Sequence, residues 1–104
     1  MTKKKYRLEI LPLFESDLAE TVDYITRKLK NPIAAAALVD AVEAAIYERL
    51  PEAETFAPYP SSRQRAYPYY YIRVKNFYVF YVVIDDVMEV RRFVYASRDI
   101  DQHI

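Results

Sequence analysis

A chain of 104 residues with no glycine has few ways to reverse direction. Average usage near 7% would supply about seven glycines, so every turn here must be built from residues that carry a Cβ. Asn, Asp and Pro are the residues that tolerate such positions best. The same absence excludes the glycine-rich phosphate cradle, the dinucleotide-binding fingerprint and the glycine-flanked nucleophile elbow.

The places where the chain can turn therefore parse it. Lys75-Asn76 and Asp85-Asp86 each separate apolar segments by two residues, which is hairpin spacing, and a type I′ geometry is expected at both. The segments they divide run from Tyr69 to Val74, Phe77 to Ile84 and Val87 to Tyr95. The middle one is apolar on both faces and predicts a central strand. In the first of them Tyr70, Ile72 and Val74 share one face, with Tyr69, Tyr71, Arg73 and Lys75 on the other. Alternation in the last predicts Met88, Val90, Arg92 and Val94 on one face and Val87, Glu89, Arg91, Phe93 and Tyr95 opposite.

Upstream, Tyr6, Leu8 and Ile10 alternate with Arg7 and Glu9, which predicts a first strand ended by Pro12. Phe14, Leu18, Val22, Ile25 and Leu29 then draw one stripe down a helix. Asn31-Pro32 reads as an N-cap followed by proline at the first helical position. The second helix so begun presents Ala35, Leu38, Val42, Ala45, Ile46 and Leu50, and ends at Pro51. So short a join predicts a helical hairpin. Residues 51 to 68 hold four prolines and no periodicity and predict a loop. The order is β-α-α-β-β-β: an α+β fold in which a helical hairpin packs on one face of a small, mainly antiparallel sheet. The tyrosine-bearing face is then expected to stay partly open.

Size and composition narrow the function. Residues 1 to 104 are expected to form one domain. Its longest apolar run, Phe77 to Ile84, is eight residues, far short of the ~20 that span a bilayer. No apolar signal region follows Met1-Thr2-Lys3-Lys4-Lys5, so a soluble, cytoplasmic protein without membrane attachment is expected. With no cysteine and His103 as its one histidine, the chain offers no thiol chemistry and no multi-histidine metal site, and a histidine triad is not expected. Neither metal nor cofactor is predicted.

Net charge is zero, yet the charges are segregated. From Glu9 to Glu54 there are ten acids against four bases, whereas Ser61 to Tyr81 carries Arg63, Arg65, Arg73 and Lys75 with no acid. A dipolar molecule of this kind docks a polyanion or an acidic partner on one side only. Eleven tyrosines add rings that stack, and arginine adds a fork for anions.

Residues along nearly the whole chain resemble the RelE/ParE superfamily of toxins from bacterial type II toxin-antitoxin systems. The likeness is carried by Tyr6-Arg7-Leu8, Asp17-Leu18, Asp23-Tyr24-Ile25, Asn31-Pro32, Val79-Phe80-Tyr81 and the run Glu89-Val90-Arg91-Arg92-Phe93-Val94-Tyr95-Ala96-Ser97-Arg98-Asp99. The long helical hairpin and the run from Glu89 to Asp99 look more like the ParE branch. That resemblance implies a toxin that binds and inhibits DNA gyrase, arrests growth, takes part in plasmid stabilisation and is neutralised by a cognate antitoxin. The RelE branch implies instead an mRNA interferase, an endonuclease acting with the ribosome. A toxin-like domain that has lost activity is the third reading.

Cleavage of RNA by a 2′-hydroxyl needs a base, an acid and cations for the developing charge. By the resemblance, Arg73, Lys75, Arg92 and Tyr95 would be the catalytic set, with Tyr95 where many relatives have histidine. The third-strand position that is usually basic reads Tyr78. Arginine stays protonated and can clamp a phosphate, but it hardly removes a proton. Lys75, Tyr71, Tyr95 or Asp99 would have to act as base. For binding a nucleic acid or a target protein the candidates are Arg63, Arg65, Tyr71, Arg73 and Arg98. The residues leave other roles open as well: Arg92 pairing with Asp99 or Glu89, Arg98 and Asp99 capping the final turn, and His103 in a solvated tail.

Overall fold

The computed structural model describes residues 5–60, 65–97 and 100–104. The elements are β1 (Arg7–Ile10), α1 (Pro12–Asp23), α2 (Pro32–Arg49), β2 (Tyr70–Val74), β3 (Phe77–Ile84), β4 (Val87–Tyr95) and a short α3 (Ile100–His103). Four strands form one sheet in the order β1-β4-β3-β2, with β1 parallel to β4 and the other pairs antiparallel. This is the expected α+β arrangement, and the doubly apolar segment is β3, one of two interior strands, the other being β4.

Both tight turns fall where expected, but their geometry differs. Positive φ sits on the first residue of each, Lys75 at 53° and Asp85 at 56°, and not on Asn76 or Asp86. A type I′ turn needs positive φ at both central residues, so neither turn has that form. The third left-handed residue among those described is Lys30, at 51°, in the join between the helices.

Pro12 starts α1 rather than merely closing β1, since proline fits the first turn of a helix. The helix leaves its α form at Tyr24, where a π turn spans Tyr24–Lys28, and the amides of Leu29 and Asn31 close back onto the carbonyls of Tyr24 and Ile25. The extra residue in that turn moves the stripe. Phe14 is buried and Leu18 and Ile25 pack on the core, but Leu29, expected on the same stripe, is left 57% exposed. In α2 the Asn31 side chain accepts from the Ala34 amide at 3.1 Å, the expected N-cap. Ala35, Leu38, Val42 and Ile46 are buried at helical spacing. Pro51 does not stop the chain at once, because a 3₁₀ turn over Leu50–Glu52 continues from α2.

Beneath the helices lies the larger core: Ile72 and Val74 of β2, Val79, Tyr81 and Val83 of β3, and Met88, Val90 and Phe93 of β4. Each large apolar side chain removed from water there contributes about 1.5–3 kcal/mol. The strict alternation expected in β4 fails between Val90 and Phe93. Phe80 pairs with Arg92, but the next residue, Tyr81, pairs with Val90, so Arg91 is the extra residue of a β-bulge. The bulge swaps faces: Phe93 joins Met88 and Val90 under the helices, while Val94 faces the other side.

That other side is not the open surface the sequence led us to expect. Tyr69, Phe80, Val82, Val94 and Ile100 form a second buried cluster, with Tyr59, Tyr71, Tyr78, Ile84 and Ile104 packed on it. The proline-rich loop supplies Tyr59, whose amide donates to the Tyr69 carbonyl at 2.6 Å. Tyr59 meets Tyr71 and Phe80 edge to face, at 5.5 and 5.3 Å between ring centres. Loop and C-terminal turn cover this face because they carry the apolar side chains left over from the helical core.

Candidate functional site

The basic side chains stand on and around the covered face. At its far end Arg73, on β2, is exposed and lies over the Tyr78 ring at 5.3 Å. Its Nε donates to the Lys75 carbonyl at 2.6 Å, which anchors the side chain to the turn that carries exposed Lys75. Tyr71 is half-buried and meets Tyr78 edge to face at 5.5 Å. An aromatic floor with a cation at its rim results, suited to gripping an anionic or aromatic group.

Around Tyr69, near the other end, three arginines converge. Arg65 lies 4.6 Å and Arg91 5.7 Å from the ring centre. Arg91 also donates to Glu89 at 2.7 Å and to the Tyr69 hydroxyl at 3.2 Å. Its half-burial favours the neutral form, yet those two hydrogen bonds together push its pKa up, so it stays cationic. Arg91 and Arg92 join Leu11, Leu13, Tyr69 and Ile104 around a depression of about 240 Å³.

Arg92 does not pair with Glu89, one of its expected partners; Asp99, the other, lies outside the described residues. It makes a two-point contact with Asp17 on α1, Nε to Oδ2 at 2.7 Å and Nη2 to Oδ1 at 3.1 Å. The hydrogen bond to Asp17 is the main reason its pKa is raised. β1 reaches only to Val90, so the end of β4 has no strand on that side and Asp17 occupies the gap.

The four residues of the expected catalytic set are not gathered at one point. Tyr95 is paired with Phe77 on the helix-facing side of the sheet and touches its ring at 5.5 Å. Arg73 is paired with Tyr78 on the opposite face. Arg92 is bound at the β4 edge, and Lys75 stands in the β2–β3 turn. Of the binding set, Arg65, Tyr71 and Arg73 share the covered face, whereas Arg63 and Arg98, like Asp99, lie outside the described residues.

Arg49, which pattern reading passed over, organises this region together with Tyr81. Arg49, at the end of α2, donates to the Tyr71 carbonyl at 3.1 Å and to the Tyr81 hydroxyl at 3.0 Å, and stacks on Phe56 at 3.6 Å. Tyr81 in turn donates to the Ala53 carbonyl at 2.7 Å. A basic residue closing an acidic helix was the available signal for Arg49. For Asp17 the signal was its place beside Leu18 on the apolar stripe of α1.

Acidic side chains are in excess on the helices, although Arg27 and Lys28 are exposed there too. Glu15, Glu20, Asp40, Glu43 and Glu48 are exposed on the helices, and Arg73 stands on the opposite side of the sheet. No helix among the described residues is long and apolar enough to cross a membrane.

The comparisons with known proteins agree with this architecture. A solved chain from the chromosomal ParDE TA system of P. aeruginosa superposes with a TM-score of 0.72 at 17% identity, covering 89% of this chain and 98% of that one. No curated protein matches the sequence. Residues 8–100 match the family described as the ParE toxin of the type II toxin-antitoxin system parDE. That match takes in α1, α2 and all four strands save Arg7, and the chain belongs to the ParE toxin family.

Proposed function

We propose that this ParE-family toxin arrests growth without catalysis, by binding and inhibiting DNA gyrase, and that a cognate antitoxin neutralises it in the cytoplasm. Its grip on the target comes from Arg65, Tyr71 and Arg73 on the covered face, extended by Arg63 and Arg98. The observation that supports binding over cleavage is the separation of Arg73 from Tyr95: they stand on opposite faces of one sheet. A base and a phosphate clamp have to reach the same 2′-hydroxyl and its neighbouring phosphate, which disfavours Tyr95 as the base for Arg73, and cleavage would have to rest on Tyr71 or Lys75 beside Arg73. The ParDE likeness supports the antitoxin.

Induced expression tests the reading. Intact messages, arrested replication and an induced DNA-damage response are expected, together with loss of supercoiling activity when purified gyrase meets the purified chain. Messages cut on translating ribosomes would replace this reading with that of an mRNA interferase using Arg73, Lys75, Arg92 and Tyr95. Normal growth with soluble, folded protein would leave an inactive toxin-like domain. Co-expression of a small protein encoded beside the gene is expected to restore growth.

A further inference from the structure

β2 lies at one end of the sheet and pairs with β3 alone. The two-residue turn Lys75-Asn76 closes on Val74 and Phe77, and a hairpin of that length closes on a pair that exchanges both main-chain bonds. Bonding direction alternates along a strand, so Val74, Ile72 and Tyr70 turn their amides and carbonyls to β3, whereas Arg73, Tyr71 and Tyr69 turn theirs away from the sheet. Two of those outward carbonyls are occupied. That of Tyr69 accepts the Tyr59 amide at 2.6 Å, and that of Tyr71 accepts Arg49 Nη1 at 3.1 Å. Arg49 is held there by the Tyr81 hydroxyl, 3.0 Å from the same nitrogen, and by the Phe56 ring, whose centre lies 3.6 Å from the guanidinium carbon.

Tyr70-Tyr71-Ile72-Arg73-Val74 is rich in the aromatic and β-branched residues that favour strands, so with its edge bare it would accept a further strand. A second copy of β2 suits it. Run antiparallel about a two-fold axis at Ile72, the two strands set Tyr71 opposite Arg73 of the second copy, and Arg73 opposite Tyr71 of the second copy. These are the outward-facing residues, so each pair can exchange both main-chain bonds. Arginine then meets a tyrosine ring on each side of the axis, Ile72 meets its own counterpart, and no like charges face each other. The bond from Tyr59 to Tyr69 lies outside this register and stays intact. The bond from Arg49 takes up the Tyr71 carbonyl that the register needs.

We propose that Arg49 guards a latent self-pairing edge: seated on the Tyr71 carbonyl, its guanidinium stands where β2 of a second copy would run, and so keeps the chain a monomer. The block is firm because one nitrogen is bonded to both Tyr71 and Tyr81 while the flat face of the group lies on Phe56. Removing Arg49 frees the carbonyl and the space beside it together.

Size-exclusion chromatography with light scattering, run on the purified chain from micromolar to near-millimolar concentration, tests this. The parent is expected to keep the mass of one chain throughout. Arg49→Met, which retains much of the bulk and removes the donors, should rise with concentration to the mass of two chains, as should Arg49→Ala. Phe56→Ala alters a residue 44% exposed and outside both cores, so it spares the fold if loss of Arg49 does not. By loosening Arg49 it should show the same rise at higher concentration. Adding Arg73→Pro to any of the three should restore the mass of one chain, because proline deletes the outward amide that self-pairing uses and none that β3 uses. Near-UV circular dichroism identifies the variants that keep native packing. The proposal is overturned if every folded variant keeps the mass of one chain, if the parent pairs as readily as Arg49→Met, or if the Arg73→Pro variants still pair. Soluble assemblies larger than two chains overturn it as well, since a two-fold pairing closes at the dimer. None of these readouts depends on growth arrest or on gyrase.

Discussion

Asp17 holds Arg92 through two hydrogen bonds and receives the Phe93 amide on the same carboxylate, Oδ2 to N at 3.0 Å. One side chain on α1 thereby fills the place of a missing strand along β4. An open strand edge invites pairing with other chains, and here a carboxylate answers it. The contact joins residues 75 positions apart, so it also ties the start of the helical hairpin to the last strand.

Removing either partner leaves a charge in a place that water reaches poorly, the side chains being 13% and 25% exposed. Asp17→Ala is expected to cost about 2–4 kcal/mol of unfolding free energy. Arg92→Ala should cost less, because Asp17 keeps the Phe93 amide. A double-mutant cycle by urea unfolding should return a coupling of about 1 kcal/mol or more. Additive losses would mean that the pair has no mutual dependence.

Arg73 and Lys75 invite the opposite expectation. Both are exposed, and the ring contact of Arg73 with Tyr78 is a surface one. The double variant Arg73→Ala, Lys75→Ala should keep its stability to within about 1 kcal/mol. Growth arrest on induction should nevertheless be lost if this rim grips the target. Full toxicity in the folded double variant would move the working surface elsewhere.

The order of elements was legible because each depends on neighbours in the chain: Asn31-Pro32 caps a helix locally, and Lys75-Asn76 and Asp85-Asp86 turn locally. Where the reading went astray, a distant residue or a single inserted one decided the outcome. The bulge at Arg91 swaps the faces of the last part of β4, and nothing in Glu89-Val90-Arg91-Arg92-Phe93 marks it. The π turn at Tyr24–Lys28 does the same to Leu29. The tyrosine-bearing face is closed by Tyr59 and Ile104, which reach it across long stretches of chain. Arg65, Tyr71 and Arg73 could be named as candidates from charge and ring content, but the support that Arg49 gives through Tyr71 and Tyr81 is a tertiary fact.

Arg49 and Tyr81 make that support measurable. The Tyr81 hydroxyl, in a fully buried ring, accepts from Arg49 and donates to Ala53, so it joins α2, β3 and the turn after α2. Tyr81→Phe leaves the Ala53 carbonyl and one guanidinium proton without their partner. The expected cost is about 1–3 kcal/mol by urea unfolding. Arg49→Ala in the Tyr81→Phe background should cost less than it does in the parent.

Alkaline pH should expose a second phenol. Tyr6 donates to Glu54 at 2.7 Å, and burial, with the Glu54 hydrogen bond and charge behind it, pushes its pKa up to about 12 from 10.0. The folded state thus holds the proton more tightly than the unfolded one. Its contribution is complete below pH 10 and is lost as pH climbs towards 12. Burial raises Tyr81 in the same sense. Stability measured by urea from pH 9 to pH 12 should fall, and Tyr6→Phe should flatten part of that fall. An unchanged slope in Tyr6→Phe would remove Tyr6 as a source.

The missing glycines leave a mark that can be repaired. Lys30 sits at a φ of 51°, in the left-handed region, between the π turn and the Asn31 cap. A residue with a Cβ loses about 1–2 kcal/mol there. Glycine relieves that strain but gains freedom in the unfolded chain worth about 0.4–1 kcal/mol against it. Lys30→Gly is therefore expected to stabilise by about 0.5–1 kcal/mol. Asp85→Gly, at a φ of 56°, should act in the same direction. The two sites lie in separate turns, one between the helices and one between β3 and β4, so their effects should add in the double variant. A loss of stability at both sites would show that the side chains of Lys30 and Asp85 stabilise these turns by more than their backbone strain costs.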